Sequence, residues 1–262
     1  MSQAPVLFVS HGGGPLPLLG HTGHRALVES LRQLAVRLPR PEAILVISAH
    51  WEEEVATLQA AAHPPLLYDY SGFEAAAYGL RYPAPGSPPL ALHIADLLEA
   101  HAIPHRLDPQ RGYDHGAFVP LLLLFPEATI PTLQLSLVRG LDPRSHLQLG
   151  RALRELRQDN ILILGSGFTF HNLPAFARSA PGGDPANDAF QEWLIETLTS
   201  PLAAAERQGR LMAWEQAPHA RYCHPREEHL LPLHVCQGAA GGPATVILDA
   251  PILGKRALAF HW

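Results

Sequence analysis

Cysteine is nearly absent: the 262 residues include two, Cys223 and Cys236, which form neither a disulfide framework nor a C-x-x-C motif. That usage fits a reducing, cytoplasmic setting. Charge is sparse as well. Charged residues make up 16% of the chain, and 19 Lys+Arg against 24 Asp+Glu leave a net charge of −5 with no basic block. Nucleic acid and anionic membrane surfaces both need clustered positive charge, so neither is an expected partner. The longest apolar run, residues 118–125, is interrupted by Pro120 and is far shorter than the ~20 residues of a membrane span. No charged segment precedes an apolar stretch at the N-terminus, so a signal peptide is not expected. Repeats, low-complexity tracts and an interdomain linker are all missing, which predicts one domain over residues 1–262. A chain of this length buries roughly 70–75% of its unfolded surface and needs no staple to fold.

What the chain has in excess is histidine, 16 against 19 Lys+Arg combined. Imidazole is the commonest metal ligand and the usual acid/base near neutral pH, so the placement of each histidine matters.

The apolar pattern predicts an α/β fold. Val6–Ser10 is a short apolar run stopped by His11-Gly12-Gly13-Gly14-Pro15, a buried strand feeding a Gly-rich loop. Over residues 24–38, Leu27, Leu31, Leu34 and Leu38 share one helix face, and Pro39 and Pro41 end it. Residues 43–49 form a continuous β-branched run, the mark of a strand covered on both faces. Strand, helix and strand predict a βαβ unit with its strands as parallel neighbours. Leu90, Ile94, Leu97 and Leu98 mark a second helix. A strand over 130–137, a helix over 146–157 with Leu149, Leu153 and Leu156 inward, and a strand over 161–164 follow. A helix is expected at 189–198, and late strands at 245–248 and 257–260, the last at an edge. The Gly/Pro-rich pieces 181–185 and 238–243 are expected as surface loops. The whole predicts a largely parallel or mixed central sheet flanked by helices, with the site at the carboxyl ends of its strands.

Three strands end on histidines: His11 in VSHGGGP, His50 in ISAHW and, beyond GSGFTF, His171. Ligand sites in open α/β sheets gather just outside those ends. Parallel neighbours at about 4.8 Å would bring His11 and His50 onto one cation. The three glycines are best explained by close backbone approach that leaves space before His11. Nucleotide binding is not supported, because neither G-x-G-x-x-G nor G-x-x-x-x-G-K-[ST] occurs. G-x-S-x-G is missing too, Ser166 lying one residue out of register, and so is H-E-x-x-H. His219, His224, His229 and His234 fall five apart, about 140° around a helix, so they cannot all face one metal. A helix start near Pro225 is expected, limited or kinked by Pro232, with one of these histidines or an adjacent Glu as a third ligand. The turn Gly112-Tyr113-Asp114-His115-Gly116 and the aromatic stretch 68–73 are expected as site walls. Tyr70, Tyr113 and Asp114 are the candidate substrate contacts and His115 a candidate functional base.

At these residues the chain resembles the DODA-type extradiol dioxygenases of the LigB-like class III superfamily. The pieces that carry the resemblance are SHGGGP, RPEAILVISAHW, YDYSGF, LRYPAPGSP, GYDHGAFVPL, PTLQLSL, GSGFTFHNL and PREEHLLPLHV, in the family's order and across nearly the whole chain. The resemblance implies a non-haem enzyme that opens catechol rings with O2 and expects iron(II), Fe(2+), for activity. It implies His11 and His50 as metal ligands and His229 as a further metal-site histidine, with Glu228 as the carboxylate alternative. His171 corresponds to an acid/base that is sometimes grouped with the ligands, and His115 to an active-site histidine near substrate and oxygen. The loop HGGGP departs from the family's usual HGSP. A site held by neutral histidines alone compensates iron's charge weakly, so zinc, Zn(2+), can occupy it as purified.

Two other readings use the same histidines: a zinc hydrolase working through bound hydroxide, and a Memo-like metal-binding protein without catalysis. Spare bases such as His115 and His171 favour catalysis. A DOPA-like substrate would need a partner for its carboxylate, for which Arg81 and Arg226 are candidates; protocatechuate, homoprotocatechuate and caffeate stay open, as does a homodimer.

Overall fold

A computed structural model describes residues 3–176 and 183–262. The strands are β1 (Val6–Ser10), β2 (Ala43–Glu53), β3 (Ala56–Gln59), β4 (His105–Asp108), β5 (Thr132–Val138), β6 (Ile161–Gly167), β7 (Thr245–Ile252) and β8 (Lys255–His261). The helices are α1 (Arg25–Arg37), α2 (Pro88–Ala100), α3 (His115–Leu124), α4 (Pro143–Ala152), α5 (Leu173–Phe176), α6 (Pro185–Thr199), α7 (Ala204–Met212), α8 (Ala220–Cys223) and α9 (Leu231–Ala240). None of them is long and apolar enough to cross a membrane among the described residues.

All eight strands join one mixed sheet in the order β4-β3-β5-β2-β6-β1-β8-β7. The centre, β5-β2-β6-β1, is parallel. Its strands are buried on both faces, which explains the apolar runs of β1, β2 and β6, whereas β5 alternates Leu133, Leu135 and Leu137 with buried Thr132, Gln134 and Ser136. On β6, a Cβ at Gly165 would meet Cys236 and Pro232 of α9, whereas the next residue, Ser166, bonds Gly116 of α3. Alternation along the strand therefore puts α9 and α3 on opposite faces. Helix α4 packs closely on α9, because Gly150 and Gly238 let the two backbones touch.

Several expectations are corrected. β1 and β2 are parallel but not neighbours, since β6 pairs with both and lies between them. The order of strands is a long-range outcome that local patterns do not carry. The terminal strand β8 is internal, antiparallel to β1, and β7 forms the edge. The helix expected from Pro225 starts instead at Leu231. Pro232 therefore opens α9, where its missing N–H costs nothing, and neither limits nor kinks it. Gly238 belongs to α9 and is buried, so 238–243 is a loop only in its later part. Residues 181–182 of the expected 181–185 loop lie outside the described residues, and Pro185 begins α6. The helix over 146–157 is α4 followed by a 3-10 turn to Arg157, with Leu149, Leu153 and Leu156 inward as expected.

Candidate metal centre and active site

Because β1, β2 and β6 run parallel, their carboxyl ends share one edge of the sheet. His11 directly follows β1, and His50 lies near the end of β2, where its register against β5 shifts between Ile47 and Glu52. Despite the intervening strand, the Nε2 atoms of His11 and His50 are 3.0 Å apart. His229, just before α9, completes a set of three imidazoles whose ligand atoms all lie within 4.8 Å of one another. The cavity in front of them has a volume of about 400 Å3 and is also lined by Gly12–Gly14, Tyr70, Phe73, His115, Phe168 and His171.

The hydrogen-bond network assigns the histidine tautomers. Pro120 lies inside α3 and has no N–H for the carbonyl of Gly116, four residues earlier. The Ser166 hydroxyl donates to that carbonyl instead. With its proton so used, Ser166 Oγ accepts from His11 Nδ1 at 3.0 Å, and the bare Nε2 of His11 faces the site. Glu228 Oε1 accepts from the Nδ1 atoms of both His171 and His229, each at 2.9 Å. Their two rings stack with centroids 3.3 Å apart. Asp69 Oδ1 accepts from His115 Nδ1 at 2.8 Å and from its backbone N–H at 3.0 Å. Four imidazoles thus spend their Nδ1 protons on the protein and turn unprotonated Nε2 atoms to the cavity.

Electrostatics keep His11, His50 and His229 neutral. Burial, with the imidazoles of His50 and His115 next, holds His11 well below its ordinary 6.5. His229 is also driven well down by burial, against the raising effect of its Glu228 hydrogen bond. His50 falls to about 4 through burial and then His115, with Asp114 and Asp69 opposing. Burial works to raise Glu228, but hydrogen bonds from His171 and His229 win and hold it well below the usual carboxylate range. Neutral imidazoles backed by ionised carboxylates are the ligand form that binds divalent cations. The residues fit a metal ion.

The chain matches the family described as the catalytic LigB subunit of aromatic ring-opening dioxygenase over residues 6–250. It belongs to that family. The family's chemistry makes it a ring-cleaving dioxygenase, an oxidoreductase acting on a small molecule and O2. Among its relatives, dioxygenase tasH of Hapsidospora irregularis is 45% identical, with 92% of this chain and 79% of that protein covered. The 4,5-DOPA dioxygenase extradiol of Beta vulgaris is 39% identical over 89% of this chain and 86% of its own. A crystal structure of an uncharacterized protein, JW3007 of Escherichia coli K12, superposes with a TM-score of 0.82 at 31% identity and covers 99% of both chains.

Of the residues predicted for this LigB-family site, the fold brings together His11, His50, His115, His171, His229 and Tyr70. Tyr113 and Asp114, expected as substrate contacts, do not line the cavity. Tyr113 is fully buried, with its hydroxyl on the carbonyl of Thr132 at 2.8 Å. Asp114 caps the N-terminus of α3 and bonds Ser48, Gln134 and Arg111. The glycine, aspartate and aromatic there are helix-start and core chemistry. Glu228 lies behind the imidazoles of His171 and His229. His224 and His234 bond backbone carbonyls in the core, and exposed His219 has a left-handed backbone.

Three functional supports escaped the sequence reading. Asp69, between two tyrosines, orients His115. Ser166, already noted for its missed elbow register, orients His11. His24 accepts the N–H of Gly13 at 3.0 Å and fixes the glycine loop. That loop needs its glycines: Gly12 has φ +87, and a Cβ there would sit 2.6 Å from the His24 ring. Ser166→Ala should leave the fold intact and weaken metal binding roughly 10–100-fold, the usual effect of losing such a support. Competition of the protein with a chelator of known affinity measures it; unchanged affinity would remove Ser166 from the scheme.

Proposed function

We propose that this protein is an iron(II)-dependent extradiol dioxygenase of a catechol, with the metal held by His11, His50 and His229. The observation that carries this reading is the cluster of three imidazoles, in which His11 and His229 spend their Nδ1 protons on Ser166 and Glu228 and the Nε2 atoms of His11 and His50 lie 3.0 Å apart. Iron(II), when bound there, supplies open positions for the diol and O2 and a redox-capable centre. Zinc can occupy the same neutral donors as purified but lacks that redox capacity.

The remaining chemistry belongs to the chain. His171, anchored by Glu228, presents a bare Nε2 that takes a proton from a catechol hydroxyl and returns it as the ring opens. His115, anchored by Asp69, stands across the cavity as the second base. Tyr70 gives its hydroxyl proton to the carbonyl of Ala77 at 2.7 Å, so it contacts substrate through its ring. Phe73, Phe168 and the glycine loop form walls of the cavity that would receive the diol. Both atoms of O2 enter the product and the C–C bond beside the diol breaks, leaving a ring-opened muconic semialdehyde. Residues 1–262 act as one catalytic domain, and the two buried free thiols suit a reducing cytoplasm.

Anaerobic reconstitution with iron(II), followed by oxygen uptake on a catechol panel, tests the reading. One O2 per catechol and a yellow product are expected. Zinc-dependent ester or amide cleavage without oxygen consumption would replace it with the hydrolase.

A further inference from the structure

The C-terminal hairpin reaches the cavity with one side chain. Ile252 and Lys255 pair across the end of β7 and β8, so Leu253 and Gly254 make a two-residue turn. Both have positive φ, +51 at Leu253 and +79 at Gly254. Such a turn favours asparagine, aspartate or glycine at its first position, because a bulky side chain crowds the left-handed backbone. Leucine has no local reason to stand there.

The surroundings of the side chain supply the reason. The Leu253 N–H donates to the carbonyl of Gly23 at 3.0 Å and fixes the turn against the segment ahead of α1. The side chain then lies against the glycine loop. A Cβ at Gly13 would be 3.0 Å from Leu253 Cδ1, and one at Gly23 would be 3.3 Å from Cδ2. Leu253 therefore takes the space that a side chain at position 13 would fill, close after His11 in the chain. The Phe73 ring meets the same loop at its next residue, 3.3 Å from where a Cβ at Gly14 would stand. Leu253, Gly13, Gly14 and Phe73 all line the cavity. Six of the described non-glycine residues have positive φ, and Leu253 is the one among them that lines it. Glycine would serve the turn and its N–H bond equally well, so the strain is retained for the side chain it delivers.

We infer that Leu253 is a specificity-determining residue. Carried in on a strained turn from the far end of the chain, its side chain forms the wall beside Gly13 that sets how bulky a ring substituent the cavity accepts. The inference rests on the catechol reading above and adds the residue that selects among catechols by size.

Three variants of the full chain test it. Leu253→Ala removes the side chain and keeps the strain, Leu253→Gly removes both, and Leu253→Met keeps an apolar chain of similar size. With iron(II) loaded, kcat/KM for catechol should fall in both the Ala and Gly variants. The ratio of kcat/KM for 4-tert-butylcatechol or 3-isopropylcatechol to that for catechol should rise roughly tenfold in both, the scale of a methylene gained or lost in an apolar pocket. Leu253→Met should stay near the unaltered protein, and metal affinity should be the same throughout, since the imidazoles and their supports are left intact. In urea, the metal-free Gly variant should unfold at a higher midpoint than the Ala variant, because glycine releases the backbone strain. Recovery of the original kcat/KM and ratio in Leu253→Gly would show that only the turn matters and would overturn the inference. A size ratio unmoved for both bulky catechols, loss of the metal, or an Ala variant as stable as the Gly variant would do the same. If the unaltered protein turns over no catechol, the ring-opening reading falls. Calorimetry of the zinc-loaded proteins with the same catechols under argon then decides the role of Leu253 through the same change in affinity ratio.

Discussion

Alanine at His50 is expected to abolish metal binding, whereas alanine at His171 is expected to leave the ion in place and stop turnover. His50 meets His11 at 3.0 Å and shares the three-imidazole cluster with His229. Removing one of three neutral ligands should weaken affinity at least ~100-fold, more than the loss of a supporting group. His171 groups only with Glu228 and His229 among possible ligand sets, and its Nδ1 is tied to Glu228. Its loss removes a base worth about 10²–10⁴ in rate while three ligands remain. Metal content after anaerobic loading and single-turnover oxygen uptake separate the two effects. Equal metal loss in both variants would make His171 a ligand.

Acid is expected to unfold the protein over a window set by its buried core histidines. Burial, the leading cause at each, holds His24 and His234 to about 4 and His224 to about 3 in the folded state. Unfolded, all three titrate near 6.5. Above that pH both states are neutral and stability is complete. As pH falls from about 6.5 toward 4, the unfolded chain takes up protons that the folded chain refuses. Stability then drops by about 1.4 kcal/mol per pH unit for each histidine, up to about 4 kcal/mol per unit for the three. Two pH units remove an amount comparable to the 5–15 kcal/mol of a typical domain. The buried histidines of the metal cluster act in the same direction. Urea midpoints measured from pH 7.5 to 4.5 should fall steeply below pH 6.5, with uptake of at least three protons on unfolding. A midpoint constant down to pH 5 would show that these imidazoles are charged or solvated in the native protein.

Much of this was legible in the residues. The runs in β1, β2 and β6 identified buried strands, and a histidine after each pointed to the rim where the site lies. The position of β6 between β1 and β2 was not legible, since all three strands are similarly apolar and pairing choice is non-local. His11 and His50 converge all the same, their Nε2 atoms 3.0 Å apart, with His50 in the stretch of β2 whose register against β5 shifts. Tyr113 and Asp114 misled because a polar turn before an apolar run looks alike at a helix cap and at a pocket wall. Asp69 and Ser166 stayed hidden because their roles depend on partners 46 and 155 residues away. The series from His219 to His234 mixes one site residue with core packing, and spacing alone does not separate them.

The central claim is that imidazoles from β1, β2 and the segment before α9 hold a single ion. Anomalous diffraction at the iron edge, from crystals loaded anaerobically with iron(II), tests it most directly. One peak is expected about 2.0–2.3 Å from the Nε2 atoms of His11, His50 and His229, with Glu228 still bonded to the Nδ1 atoms of His171 and His229. A peak coordinated by Glu228, or one seated between Asp69 and His115, would contradict it.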